Sequence, residues 1–474
     1  MKERPFMTLQ KANVYNPDIQ SQTKNSKNKF DLGQLPEWNL ADLYSSPQAI
    51  EIKADLKKID KLSEAFALKY EKKLSTLSAE EMLECMRQQE QLQLLMGRLV
   101  SFASLRYYQM TTDTSRTKFL SDIQEKITAF SSKLVFFSLE FNKLSNVHLK
   151  NLLEESVGLS KYKSAFDRMR AFKPYQLSDK LERFLHDQSV VGASAWNKLF
   201  DETIAGLKFK IGKDDLSLEQ TLDFLTDTDR KKRKKSAKAL SKVFNNNINL
   251  FSRITNTLIK EKSIEDTWRR FPDPQFSRHL SNDIEPAVVE ALRSAVIDSY
   301  PRTSHRYYKL KAKWLGLQKL EIWDRNAPLP HDEESIFLWN EAKNIVIEAF
   351  KGFDGRMAKL ANPFFEKGWI DAAVKPGKAP GAFAHPTVTD AHPYILLNYL
   401  GKPRDVMTLA HELGHGIHQV LASKQGEILS RTPLTLAETA SVFGEMLTFQ
   451  KMLSESRDEF TKKQLLAGKV EDMI

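Results

Sequence analysis

Apolar residues recur at every third or fourth position over long stretches of this chain. Residues 50–74, 78–108 and 111–141 carry that pattern, which predicts long helices with one buried face. Thr112, Asp113 and Thr114 form a joint between two of them. Residues 134–141, Leu-Val-Phe-Phe-Ser-Leu-Glu-Phe, are apolar on several sides, as a buried packing helix would be. Shorter helices are predicted over residues 160–173 and 178–187, separated by Pro174. No residue of this first region suggests chemistry, and it is expected to form one wall of a cleft.

The period then changes. Leu207-Lys-Phe-Lys-Ile-Gly212 alternates apolar with charged residues, which predicts a short strand and turn. It marks the expected boundary between a helical N-terminal domain (residues 35–205) and a second domain (residues 206–474). Helices resume over residues 217–262. Trp268 to Phe276 reads as a loop punctuated by aromatic residues and prolines. Residues 284–312 predict one long helix or a pair, with Pro286 in a first turn. Leu320 to Asp324 predicts a strand, residues 327–331 a loop, and residues 335–360 a helix. Gly368 to Pro386 contains too many glycines and prolines to continue a helix. Residues 382–385 and 394–399 predict two short strands, and residues 405–422 a helix. A further helix follows Pro433, with Thr435 as its N-cap. The sum is a mainly α chain with a small β-sheet.

Composition narrows the possibilities. The 474 residues are 41% hydrophobic and 28% charged, as in ordinary globular proteins. The single Cys85 excludes a disulfide framework and any cysteine-based metal site. It suits a reducing compartment, and a cytoplasmic location is expected. No apolar run is long enough to span a membrane. Residues 1–34 read as a mobile polar tail, with no apolar segment suited to a secretory signal. A net charge of +10 raises nucleic-acid binding as one alternative. Its densest basic run, Arg230-Lys-Lys-Arg-Lys-Lys235, follows Asp227 and Asp229, with no aromatic residue between the cations. It reads as a solvated helix face rather than a base-stacking surface.

The chemistry concentrates near one helix. His411-Glu-Leu-Gly-His415 places two imidazoles four residues apart, hence on one helix face, where both can reach one metal ion. Glu412 lies at the edge of that face, placed to take a proton from a water at the metal without being a ligand. The bland alternative is a helix that carries two histidines by chance. A third donor argues against it. Glu438 sits on the second helix among Leu436, Ala437, Ala440 and Val442, where a carboxylate without a partner is costly. Two His and one Glu leave one coordination position open, as catalytic zinc sites do. His418 shares the face but lies about 10 Å along the axis, so it is expected to pack or support rather than ligate. Glu445, seven residues beyond Glu438, is read either as an acceptor for a ligand imidazole or as an ordinary exposed carboxylate. His385 is a candidate for substrate contact, and His392 an exposed loop residue.

Thr408 to Gln419, followed by Leu434 to Glu445, resembles the zinc oligopeptidase family that contains oligoendopeptidase F and thimet oligopeptidase. Asn39 to Tyr44, Tyr307 to Lys313, Trp323 to Pro330, Trp369 to Ala372, Gly381 to Pro386 and Pro393 to Tyr399 resemble it too. The resemblance runs from about Leu35 to Ile474. It implies an HExxH, gluzincin-like catalytic domain behind a helical N-terminal domain, enclosing a deep channel. It also implies one zinc ion per chain and cleavage of internal bonds in short oligopeptides, without nucleic-acid or membrane partners. Gly381, Ala382, Phe383 and Ala384 become the expected substrate edge, where a peptide adds as a further strand, with His385 a further candidate for substrate contact. One departure stands out. Family members continue past the ligand Glu into a segment whose His and Tyr hold the substrate carbonyl, whereas here residues 462–474 read as a helix without a stop signal. A C-terminally truncated chain is therefore expected. The alternative function is a zinc- and peptide-binding remnant with little turnover. Cleavage preference and oligomeric state are not encoded in any recognisable pattern.

Overall fold

The helical periodicity is realised along most of the chain. The computed structural model describes residues 31–474 except Ser217, residues 331–335, Pro376 and Arg457. Most of the expected polar tail, and His331 of the expected loop, thus lie outside the described residues. Among the described residues nine helices come first: α1 (Ile50–Tyr70), α2 (Ala79–Gln109), α3 (Thr114–Ser132), α4 (Phe136–Lys143), α5 (Asn146–Glu155), α6 (Val157–Ser160), α7 (Lys163–Ala171), α8 (Asp179–Gln188) and α9 (Ala193–Gly206). An antiparallel hairpin, β1 (Phe209–Ile211) and β2 (Asp214–Leu216), follows. Then come α10 (Leu218–Asp223), α11 (Arg230–Asn246), α12 (Ile248–Arg269), α13 (Phe276–Ser281), α14 (Pro286–Ser299), α15 (Ser304–Trp314), α16 (Trp339–Phe353) and α17 (Gly355–Glu366). Three short strands, β3 (Ile370–Asp371), β4 (Phe383–His385) and β5 (Tyr394–Leu396), precede α18 (Pro403–Ala422), α19 (Leu434–Glu455) and α20 (Glu459–Met473).

Local signals set many boundaries. Ser78 caps α2 in a reciprocal box with Glu81, each satisfying the other's backbone N–H. Asp113 caps α3 by accepting from Ser115 and Arg116. Pro286 opens α14, and residues 284–312 form the pair α14 and α15. Other boundaries differ from the pattern. The helix expected over 111–141 breaks after Ser132. Ile123 and Ile127 form a narrow buried stripe on α3, whereas Phe136, Phe137, Leu139 and Phe141 are buried nearly all round α4. One straight helix cannot present both faces to one core. Likewise, Asp354 ends α16 and caps α17 through the N–H of Arg356.

The strand expected over Leu320–Asp324 does not form. Ile322–Asp324 is a single 3-10 turn, because Asp324 is drawn inward to two arginines instead of pairing along a ladder. Thr435 is not the cap of α19 either. Pro433 occupies that position, and the Thr435 hydroxyl donates to the carbonyl of Asn282.

The three-stranded sheet, in the order β3-β5-β4, separates two hydrophobic cores. Strand periodicity does this directly. Tyr394 and Leu396 of β5 face the core of α1–α7, while Ile395 and Leu397 face the core of α16–α18. Residues 31–44 seal the arrangement from outside. Leu32 is buried against α16, the Trp38 indole N–H donates to the carbonyl of Ile395, and the Asn39 N–H donates to Gly368. A buried ion pair, Lys378 with Asp371, fixes the loop between β3 and β4. No helix among the described residues is long and apolar enough to cross a membrane.

Candidate metal centre and cleft

The site is built where α18 and α19 cross. Gly414 lies midway along α18, inside His-Glu-Leu-Gly-His. A Cβ there would stand 2.4 Å from the carbonyl oxygen of Ala440 and 2.7 Å from the Cα of Ser441. Gly444 repeats the arrangement from the other side, its Cβ position 3.0 Å from the carbonyl of Ala410. These contacts run in opposite directions along the two helices, so α18 and α19 are antiparallel. Backbone meets backbone without intervening side chains, which brings the helices closer than an ordinary pair. Glu438 is thereby set level with the two histidines.

The Oε2 of Glu438 is 3.3 Å from His411 Nε2 and 3.4 Å from His415 Nε2. Each of the three residues offers one donor atom, all within 4.8 Å of one another. A tetrahedral ion with bonds of about 2.0–2.1 Å has edges of about 3.3–3.4 Å. The two Glu–His separations match those edges. The donor set, two imidazole nitrogens and one carboxylate oxygen, fits zinc. His411 Nδ1 lies 3.2 Å from Glu445 Oε2, and the Ser441 hydroxyl donates to Glu438 Oε2 at 2.8 Å. Both contacts orient the donor atoms.

Electrostatics follow from these neighbours. Burial depresses the His411 imidazole, but the Glu445 hydrogen bond and the charges of Glu412, Glu438 and Glu445 outweigh it and raise it. His415 is lowered, chiefly by burial. The Glu445 carboxyl is held below its usual range by His411 and, after an opposing contribution from burial, by Lys469. Glu412 is 6% exposed, and burial pushes its carboxyl up to about 7, against the charge of His411 and a hydrogen bond from the Ala384 N–H. A carboxyl poised there can both take and release a proton near neutral pH.

The structure distributes the expected substrate edge unevenly. The β4 strand is at the edge of its sheet. In β5 the Ile395 N–H turns toward Trp369 beside β3, so its neighbours Tyr394 and Leu396 bond to β4. Ala384, opposite Ile395, therefore directs its N–H and C=O to the open side. There the N–H meets Glu412, and the C=O accepts from Gln419 Nε2 at 3.2 Å. Gly381 stands before β4 with φ +75°, and its carbonyl accepts from Asn398. Ala382 packs toward the core of α16–α18. Phe383 points the other way, into an aromatic cluster with Trp38 and Tyr108. His385 is buried, its Nε2 3.0 Å from Ser101 Oγ of α2, and burial lowers its imidazole to about 4. His392 is not an exposed loop residue. Its ring stacks on Trp369 at 3.7 Å and its Nε2 meets Asp42 at 2.8 Å, because the turn folds back onto the sheet.

A cleft of about 780 Å³ opens in front of these groups. Glu412, His415, His418 and Gln419 line one side, and Lys262 and Arg278 of α12 and α13 the other. His418 thus faces the cleft beyond the ligand cluster. A second cavity of about 1030 Å³, between α8 and α12, contains none of the site residues. Sequence reasoning did not single out Gly414, Gly444, Ser441, Gln419, Ser101 or Lys469. Gly414 and Gly444 did carry a signal, each as a glycine inside a helix that otherwise has no reason to hold one.

Comparison with known proteins bears on the family and the fold. Residues 224–474 match the profile of peptidase family M3, and residues 140–209 that of oligopeptidase F. An oligoendopeptidase F homolog of Lactococcus lactis is 24% identical over 453 residues, covering 93% of this chain and 74% of that protein. Oligopeptidase PepF of Bacillus subtilis is 25% identical, covering 90% of this chain and 64% of that protein. This chain thus spans about two thirds to three quarters of the length of these relatives. The crystal structure of oligoendopeptidase-F from Enterococcus faecium superposes with a TM-score of 0.64 at 18% identity, over 89% of this chain and 71% of the other. PZ peptidase A with an inhibitor superposes with a TM-score of 0.65 at 16% identity, over 92% and 75%. The structural likenesses bear on the fold, and the profile covers more than half the sequence: this chain belongs to peptidase family M3.

Proposed function

We propose that this chain is a zinc-dependent endopeptidase that hydrolyses internal bonds of short oligopeptides. The observation that carries the reading is the cluster of His411, His415 and Glu438 at tetrahedral spacing, with Glu412 beside it in the wall of the cleft. These three side chains would hold the metal. Zinc, when bound, supplies Lewis acidity and lowers the pKa of a coordinated water. Glu412 accepts a proton from the attacking water at its carboxylate and returns it to the leaving amine. The Ala384 N–H holds that carboxylate toward the cleft. Glu445 fixes the His411 ring through Nδ1, and Ser441 fixes Glu438. The cleft between α18 and α12–α13 admits an extended peptide more readily than a folded domain.

The test is hydrolysis of an internally quenched oligopeptide, with and without a chelator, alongside zinc content. Chelator-sensitive cleavage with one zinc per chain supports the reading. Zinc without cleavage would instead make the chain a metal- and peptide-binding protein. Absence of zinc after equilibration with the ion would overturn the site itself.

A further inference from the structure

Four residues from three helices form a line that ends on a proposed metal ligand. Lys469 of α20 pairs with Glu445 Oε1, the other oxygen of Glu445 meets His411 Nδ1, and His411 Nε2 faces Glu438. The side chains of Lys469 and Glu445 are only 13% and 17% exposed. We propose that Lys469 is a positioning residue for His411, acting through Glu445, so that α20 sets the strength of metal binding. The inference rests on the metal-site reading above.

The placement of α20 argues that this contact is held rather than incidental. Residues 465, 469 and 472 share one helix face by their spacing of four and three. Leu465 packs on the core of α16–α18, Lys469 reaches α19, and Asp472 lies 3.9 Å from Arg404 of α18. On another side, Glu471 pairs with the fully buried Lys311 of α15, whose ammonium also donates to the Arg325 carbonyl. Asp458 caps the start of the helix by accepting from the Thr461 N–H. Contacts to α15, α19 and the core of α16–α18 thus hold the helix from several sides, and with it the ammonium at position 469.

The charge balance gives this ammonium a purpose. Glu412, Glu438 and Glu445 surround two imidazoles. Lys469 answers the charge of Glu445 directly, leaving a bound cation to answer that of Glu438. Held at both oxygens, the Glu445 carboxylate keeps one orientation and one acceptor for the His411 N–H. Without Lys469 one oxygen is released, and the carboxylate can turn away from the ring. Loss of such supporting contacts lowers metal affinity by about 10- to 100-fold.

The experiment measures zinc affinity by competition with a chromophoric chelator, and the visible spectrum of the cobalt-loaded protein, for Lys469→Met, Lys469→Arg, Glu445→Gln and the double variant Lys469→Met/Glu445→Gln. Lys469→Met is expected to weaken zinc binding about 10- to 100-fold and alter the cobalt bands. Lys469→Arg is expected to stay close to the parent. In the Glu445→Gln background, Lys469→Met should add nothing, because the two act in series. Parent-like affinity and spectrum in Lys469→Met would overturn the proposal while leaving the metal site standing. An equal loss in the Glu445→Gln background would also overturn it, since α20 would then act by general packing. A parent chain that binds no zinc would remove the site reading and this inference together.

Discussion

Two buried carboxylates in this molecule are pushed in opposite directions. Asp324 is fully buried, yet its carboxyl is held down to about 2. Burial opposes that shift, and the hydrogen bonds from Arg230, the Glu321 N–H and Arg233 overcome it. Glu412 is nearly as buried, and its carboxyl rises to about 7 because burial dominates. At Asp324 each oxygen is answered by a fixed cation. Around Glu412 the neighbours are imidazoles and other carboxylates. The first environment is complete within the polypeptide, and the second has the composition of a site for a cation from outside. Burial of charge alone therefore does not mark a functional site. The sign of the shift, together with the donor geometry, singles out a candidate for one.

The same comparison accounts for much of the basic run. Arg230 and Arg233 converge on Asp324, Lys232 pairs with Asp227, and Lys234 lies 5.0 Å above the Trp323 ring. Glu182 with Arg269 and Asp371 with Lys378 repeat the pattern of internal neutralisation. Asp324 and Glu182 each join elements distant in sequence, whereas Asp371 and Lys378 close a local loop.

The contrast is sharpest if each carboxylate is made neutral without changing its shape. Glu412→Gln is expected to lower peptide turnover about a thousandfold while retaining one zinc per chain, read by steady-state kinetics and metal analysis. Unchanged turnover would remove Glu412 from the reaction. Asp324→Asn should do the reverse. It leaves Arg233, 4% exposed, without its charge partner, and should cost about 3–5 kcal/mol in denaturant unfolding with zinc affinity unaltered. Loss of zinc in that variant would show that the two regions are coupled.

A pH series tests a third buried group that belongs to neither class. His385 titrates at about 4 in the folded chain and near 6.5 when unfolded. Its folded value is depressed, so the unfolded chain takes up the proton first. The contribution is fully present above pH 6.5 and is lost as the pH falls toward 4, by about 3 kcal/mol. His385→Gln should flatten that window relative to the parent in urea titrations at each pH. A parent curve that is equally flat would mean that the imidazole is not desolvated.

Smaller effects are expected where geometry rather than charge is altered. Gly414→Ala places a methyl group against Ala440, so α19 must shift. The expected cost is about 1–3 kcal/mol, with weaker zinc binding as Glu438 moves off the tetrahedral edge. Parent-like zinc affinity would show that the crossing has slack. Exposed Lys231→Gln and Lys235→Gln should change stability by less than about 0.5 kcal/mol in the same assay.

Much of the site was legible because its information is local. His411, Glu412 and His415 lie within one and a half turns of helix, so their common face follows from the period of 3.6 residues alone. Glu438 could be suspected from its apolar surroundings, and Glu445 from its sevenfold offset. The elements likewise followed from the pattern wherever caps and prolines are local, as at Ser78, Asp113 and Pro286. Misreadings fell where a distant partner decides. Leu320 to Asp324 alternates like a strand but turns because two arginines of α11 claim Asp324. His392 looks like a loop residue but stacks on Trp369.

By itself, then, the sequence determined the helical class and pointed to His411, His415 and Glu438 as candidate metal donors, with Glu412 as the candidate base beside them. The tertiary structure decided how those groups meet. It set the close crossing at Gly414 and Gly444, the backbone donor of Ala384 to Glu412, the burial of His385 against α2, and the reach of Lys469 to Glu445. The physical reason is range. Helical periodicity and capping act over a few residues, whereas close backbone approach, desolvation and charge pairing depend on groups that only folding brings within a few ångströms.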